Sequence, residues 1–220
     1  MPRLRSIAGR AYHAGRVFTY TKVLPHVADT RFALDGRDYQ YVWHEHGRTW
    51  RSERAVEIPV ALAELATADA ARTLEVGNVL PNFVRTNHHV LDKYETAPGV
   101  ENEDAATFNG GPYDLIVSVS TLEHIGYDEE PREQDKAAQT VRNLLGLLAP
   151  GGTMLATIPV GYNRDLDDAL TGGALGGSVS YLLRLKWLKW EQVEPERARV
   201  MYGWPWPGAN AVAIARWKAG

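Results

Sequence analysis

The stretch Arg72-Thr73-Leu74-Glu75-Val76-Gly77-Asn78-Val79-Leu80 reads as a short strand with an acid near its end, then a glycine turn, then the start of a helical segment. An apolar run closed by glycine suits the first strand of a parallel α/β sheet, whose strands are covered on both faces. Ligands of such sheets bind beyond the carboxyl ends of the strands. Glu75 and Gly77 are therefore expected at the mouth of a crevice. A dinucleotide fingerprint needs three spaced glycines so that a pyrophosphate can approach the backbone. Here Gly77 stands alone, followed by Asn78, Val79, Leu80 and Pro81, and no Gly-Lys-Ser/Thr follows. An acid in this position suits a cationic or hydroxyl-rich ligand better than a phosphate.

The chain downstream keeps the strand–helix alternation. His88-His89-Val90-Leu91-Asp92 is a second strand, and an acid at such a strand end accepts hydrogen bonds from ribose hydroxyls. Glu95 is the alternative to Asp92. Val100–Asp104 is a charged edge strand, and Asp104-Ala105 can meet an adenine amino group. Tyr113–Ser120 is apolar and β-branched, as a central strand should be. Thr121-Leu122-Glu123-His124-Ile125-Gly126 follows over the same crevice. Ala137, Val141, Leu144 and Leu148 mark a helix from about Pro131 to Leu148, ended by Pro150-Gly151-Gly152. Thr153–Pro159 is strand five. Gly161-Tyr162-Asn163, an acidic run and a glycine-rich segment, Thr171–Gly177, come next. Tyr181–Trp190 and Ala198–Tyr202 read as one or two strands, and Ala209–Trp217 as a final strand.

Residues 1–54 stand outside the alternation. Tyr12–Leu24 reads as a short helix, and Phe32–Trp43 as a hairpin about Asp35-Gly36. His44 and His46 would share a strand face, but no third ligand is near in sequence and no metal is assigned. Ser52 is the expected cap of a helix carrying Ile58, Leu62 and Leu65.

Composition narrows the function classes. The 220 residues, 45% hydrophobic, suit one domain with a full core. No cysteine is present, which excludes disulfides and thiolate chemistry and suits a cytoplasmic address. No apolar run approaches the ~20 residues of a membrane span, and Met1–Arg5 leads into no signal-like core. The net charge of −3 gives no global attraction to nucleic acid. It is split, however: residues 1–54 carry +5 and residues 55–220 carry −8. A single domain is expected, with 1–54 as an N-terminal extension over the active site. A homodimer stays open.

Together these segments resemble class I S-adenosylmethionine (SAM)-dependent methyltransferases. The resemblance rests on Leu74–Asn78, Leu91-Asp92, Asp104-Ala105, Tyr113–Ser118, Leu122–Ile125 and Leu148–Thr153. It implies a three-layer αβα sandwich around a mostly parallel seven-stranded sheet with one antiparallel strand, and SAM as cofactor. By that similarity Glu75, Gly77 and Asn78 line the methionine end. Asp92 holds the ribose, Asp104 and Ala105 the adenine edge, and Ser118 and Ser120 border the sulfonium. Val79 departs from the pattern, standing where the family usually has a second glycine. Methyl transfer is an in-line displacement, so positioning dominates. His124 is the expected base, with Glu123 orienting it. The acceptor pocket would draw on Tyr20, Tyr162, Asn163 and Trp204. The expected activity is methylation of a small molecule, O-directed, on a sugar or natural-product scaffold. An RNA or protein methyltransferase and a non-catalytic SAM-fold module are the alternatives.

Overall fold

The computed structural model describes residues 30–220 except 187 and 188, together with Gly15 and residues 18–23. Tyr12, the Tyr20 side chain and most of the expected N-terminal helix lie outside the described residues; Thr19–Val23 forms one helical turn.

Two β-strands open the described chain, β1 (Arg31–Leu34) and β2 (Arg37–Gln40), paired as an antiparallel hairpin. Asp35 and Gly36 turn it with φ of 52° and 75°. Two consecutive left-handed residues make the tight hairpin turn that Asp-Gly favours. The hairpin is shorter than expected: beyond Gln40 the chain leaves pairing, and the His44 and His46 rings pack on Phe83 instead of sharing a strand face.

Helix α1 (Arg54–Leu65) leads to β3 (Thr73–Val76), β4 (His89–Leu91), β5 (Val100–Glu101) and β6 (Tyr113–Val119). Then come α2 (Lys136–Gly146), β7 (Leu148–Pro159), α3 (Arg164–Thr171), β8 (Ser178–Lys186), β9 (Lys189–Val193), α4 (Pro195–Ala198) and β10 (Ala211–Lys218). The main sheet has eight strands in the order β5-β4-β3-β6-β7-β10-β8-β9. β3 to β7 run parallel, whereas β10 lies antiparallel between β7 and β8, and β9 is antiparallel to β8. The sheet therefore carries one strand and one antiparallel pairing more than expected. The cause is β9, where Trp190 is buried while Lys189 and Glu191 face out, the alternation of a charged edge strand.

Alternation along β6 builds two cores. Ile116 faces one side with Met154, Val141, Leu144 and Leu166 of α2 and α3. Val117 and Val119 face the other, with Val56, Ile58 and Val60 of α1 and Phe32, Leu34 and Tyr39 of the hairpin. Both faces are covered, which gives the αβα layering. Other boundaries differ from the sequence reading. Helix α2 begins only at Lys136, behind Asp135 at φ 63°. Pro150–Gly152 lies inside β7 rather than before it. Residues 198–202 end the short helix α4 and form no strand. Among the described residues no helix is long and apolar enough to cross a membrane.

Candidate functional site

The strand order reverses between β3 and β6, and a cavity of about 550 Å³ opens beyond their carboxyl ends and that of β4. Gly77 and Thr121 meet there. Gly77 has φ 91°, and a Cβ on it would lie 2.1 Å from Thr121 Oγ1. Only glycine fits this crossing of two loops.

Glu75 lies behind this wall rather than on it. It is fully buried. Its Oε1 accepts from the N–H groups of Val79 and Leu80 at 2.9 and 2.7 Å, and its Oε2 lies 2.7 Å from His88 Nε2. The backbone donors that a glycine-rich loop would present to a phosphate are thus taken by an internal carboxylate. This also accounts for Val79: its N–H is spent on Glu75, and the side chain packs against the α1 core.

Ser118 is likewise internal, donating to the Val76 carbonyl at 3.0 Å. Ser120 does line the cavity, at φ 42°, and donates to Glu57 Oε1 at 2.6 Å. Asp92 and Glu95 both line it. Asp92 Oδ1 accepts from the N–H groups of Tyr94 and Glu95, while Oδ2 carries a single 3.2 Å bond from the Asn78 N–H. The Asn78 side chain donates to Glu95 Oε1 at 2.9 Å, so Asn78 bridges the two acids from outside the wall.

Asp104 and Ala105 also line the cavity. Asp104 Oδ2 sits 2.9 Å from Lys93 Nζ and 3.2 Å from Lys136 Nζ, and both lysines also reach Glu129. Burial opposes the Asp104 charge, but hydrogen bonds from Lys93, the Ala106 N–H and Lys136 outweigh it and hold the carboxyl below its ordinary range.

His124 also faces the cavity. Its Nδ1 lies 2.6 Å from Asp128 Oδ2, which accepts from the Tyr162 hydroxyl at 2.7 Å. Asp128, missed in the sequence, fixes the ring that Glu123 was expected to orient; its signal was its position four residues after His124. Glu123 is fully buried, its Oε1 3.5 Å from His124 Nε2. Tyr162 packs on His124 at 4.6 Å and on Tyr202 at 5.0 Å, so it supports the site from behind. Asn163 caps α3, accepting from the Leu166 N–H, and donates to the Glu123 carbonyl. Trp204 is 69% exposed and off the cavity wall. Among the described residues no three His, Asp or Glu side chains are placed to hold one metal ion.

A buried acid pair lies behind Ser120. Burial pushes the Glu57 carboxyl up to about 7, against the pull of Arg54, and raises Glu123 well above its ordinary value. Folded Glu57 thus keeps its proton to higher pH than the unfolded chain does. Folding takes up protons between pH about 4.5 and about 7, and stability falls as pH rises through that window. Thermal melts should show a higher Tm at pH 5.5 than at pH 8, with the difference reduced in Glu57→Gln. An equal difference in the two proteins would remove Glu57 as its source.

The strand order and the acid-walled cavity at its reversal define an open α/β sheet with a crevice at its switch point. Solved structures similar to the chain are named as methyltransferases. One is the N-methyltransferase NodS of Bradyrhizobium japonicum WM9 with S-adenosylhomocysteine, at 12% identity over 70% of this chain and 81% of that one, TM-score 0.44. Another is a possible histamine N-methyltransferase of Thermotoga maritima, at 12% identity over 73% and 87%, TM-score 0.45. A third is the magnesium protoporphyrin IX methyltransferase of Synechocystis PCC 6803 with SAM, at 12% identity over 73% and 76%, TM-score 0.41. No family model and no curated protein matches the chain.

Proposed function

We propose that the protein binds SAM in this cavity and transfers its methyl group to a heteroatom of a small molecule. The observation that carries the reading is the acid wall: Asp92, Glu95, Glu103 and Asp104 line one stretch of the cavity, and Glu75 has consumed the turn donors a phosphate would need. SAM has an ammonium, a sulfonium and a ribose diol, and no phosphate. Asp92 Oδ2, with one long hydrogen bond, has capacity for a ribose hydroxyl. Ala105 and Ile125 are apolar parts of the lining, where an adenine would lie beside Asp104.

Bound there, SAM supplies a methyl group already activated by its sulfonium. The chain's own task is to place the acceptor and to move a proton. Asp128 holds the Nδ1 side of His124, so Nε2 is the nitrogen that can take a proton from a hydroxyl or an ammonium. The O-directed expectation on a sugar or natural-product scaffold uses the same base.

Calorimetric titration with SAM, S-adenosylhomocysteine and NAD tests the reading. Binding of both sulfur ligands and none of NAD supports it; no binding of either leaves a non-catalytic module of the same fold. Asp92→Ala should weaken SAM at least about tenfold, the worth of one hydrogen bond to a charged acceptor. Unchanged affinity would sink the ribose assignment.

A further inference from the structure

Deepening that reading, on which it rests, we infer that the acceptor is a basic amine, selected by the buried carboxylates Glu57 and Glu123 that stand behind the cavity wall at the His124 end. Three observations carry this. First, acids gather there. Glu53, Glu57 and Glu123 interact about the start of α1 and the end of β6, with Arg54 among them and Arg184 within reach of Glu53. Arg54 is itself occupied, donating from one Nη1 to the Val119 carbonyl and to Glu57 Oε2.

Second, Glu123 is fully buried, and neither of its carboxylate oxygens has a hydrogen-bond partner among the described residues. A buried carboxyl without donors is costly to ionise, so it becomes charged only when a cation comes near. Third, both acids reach the cavity through one side chain each. Ser120 lines the cavity and donates to Glu57; His124 lines it and presents Nε2 to Glu123 at 3.5 Å. The hydroxyls of Tyr162 and Tyr202 also lie close enough to interact with Glu123. Asp128, on the opposite side of the His124 ring, adds a further acid.

An acceptor that enters as an ammonium favours the charged forms of Glu57 and Glu123, which burial otherwise keeps protonated, and is matched by them; a carboxylate or phosphate opposes that ionisation and a neutral alcohol does not promote it. One proton leaves the nitrogen for His124 Nε2, and the imidazolium so formed lies between Asp128 and Glu123. The freed lone pair forms the nitrogen–carbon bond as the sulfur–carbon bond of the sulfonium breaks, the sulfur keeping its electron pair. Glu57 and Glu123 are specificity-determining groups in this scheme; they act through Ser120 and His124.

The test uses the full chain saturated with S-adenosylhomocysteine and three isosteric probes, benzylamine, benzyl alcohol and benzoate. Calorimetry at pH 7 in two buffers of different ionisation enthalpy reads affinity and proton release together. Benzylamine should bind at least about tenfold tighter than benzyl alcohol, with protons released as the buried acids ionise, and benzoate should be the weakest. In Glu123→Gln, an isostere chosen to keep the packing, the preference should shrink to about twofold, and Glu57→Gln should reduce it less. Equal affinity of wild-type protein for amine and alcohol overturns the inference without any variant. An amine preference unchanged in both variants overturns the role of these two acids. Failure of the protein to take up S-adenosylhomocysteine at all is a distinct result, which overturns the cofactor reading on which the inference stands.

Discussion

Gly77→Ala is expected to abolish SAM binding, weakening it by more than about 100-fold, in a chain that still folds. Two separate costs produce this. A non-glycine residue at φ 91° is strained by about 1–2 kcal/mol. The new Cβ would also lie 2.1 Å from Thr121 Oγ1 and 2.9 Å from its Cβ and Cγ2, so one loop must move, and overpacking of this kind costs about 1–3 kcal/mol. The movement falls where the carboxyl ends of β3 and β6 meet, which is the cavity wall. Adding Thr121→Gly should recover the steric part and leave the backbone part, so the two substitutions should be non-additive in a double-mutant cycle. Wild-type affinity in Gly77→Ala would show that the ligand lies elsewhere.

Glu75→Ala should be the most destabilising single change near the site, by about 3–5 kcal/mol. It leaves the Val79 and Leu80 N–H groups without their acceptor and His88 without its partner, the last two in the buried interior. Against the usual 5–15 kcal/mol of total stability, such a loss brings the protein close to unfolding. Glu75→Gln should cost far less, because its amide oxygen still accepts from both N–H groups and its NH2 can donate to a suitably tautomerised His88. Urea denaturation of the two variants checks this. A Glu75→Ala midpoint within error of wild type would mean that the turn holds itself.

The fold was legible because its signals are local. The continuous apolar runs of β3, β6 and β7 and the glycine turns beside them place the central strands without tertiary information. The additional strand β9 was not, since Lys189–Val193 carries one buried aromatic among charges and earns its place only by pairing with β8. The site was legible in kind rather than in detail. Gly77, Asp92, Asp104, Ser120 and His124 do come together around one cavity. Glu75 and Ser118 were expected on its wall, yet both are turned inward, because each is spent on nearby backbone one step before the strand end, Glu75 on the Val79 and Leu80 N–H groups and Ser118 on the Val76 carbonyl, and sequence spacing does not show this. Asn163 was read as a substrate contact and is a helix cap, a role its residue type also permits. Glu57 was overlooked in the apolar stripe of α1, although an acid among Val56, Ile58 and Val60 is the kind of misfit that marks a buried polar role.

The Asp35 turn has a consequence for how the chain is made. Its carboxylate accepts from Ser180, Gln192 and Arg216, partners 145, 157 and 181 residues away. The hairpin is synthesised early, but its anchors on β8, β9 and β10 emerge only after the whole parallel half of the sheet. Contacts of such long sequence separation are slow to close. During translation Phe32, Leu34 and Tyr39 can therefore meet only part of their final surroundings, those of α1, and the hairpin becomes the final clasp on an already assembled parallel half of the sheet.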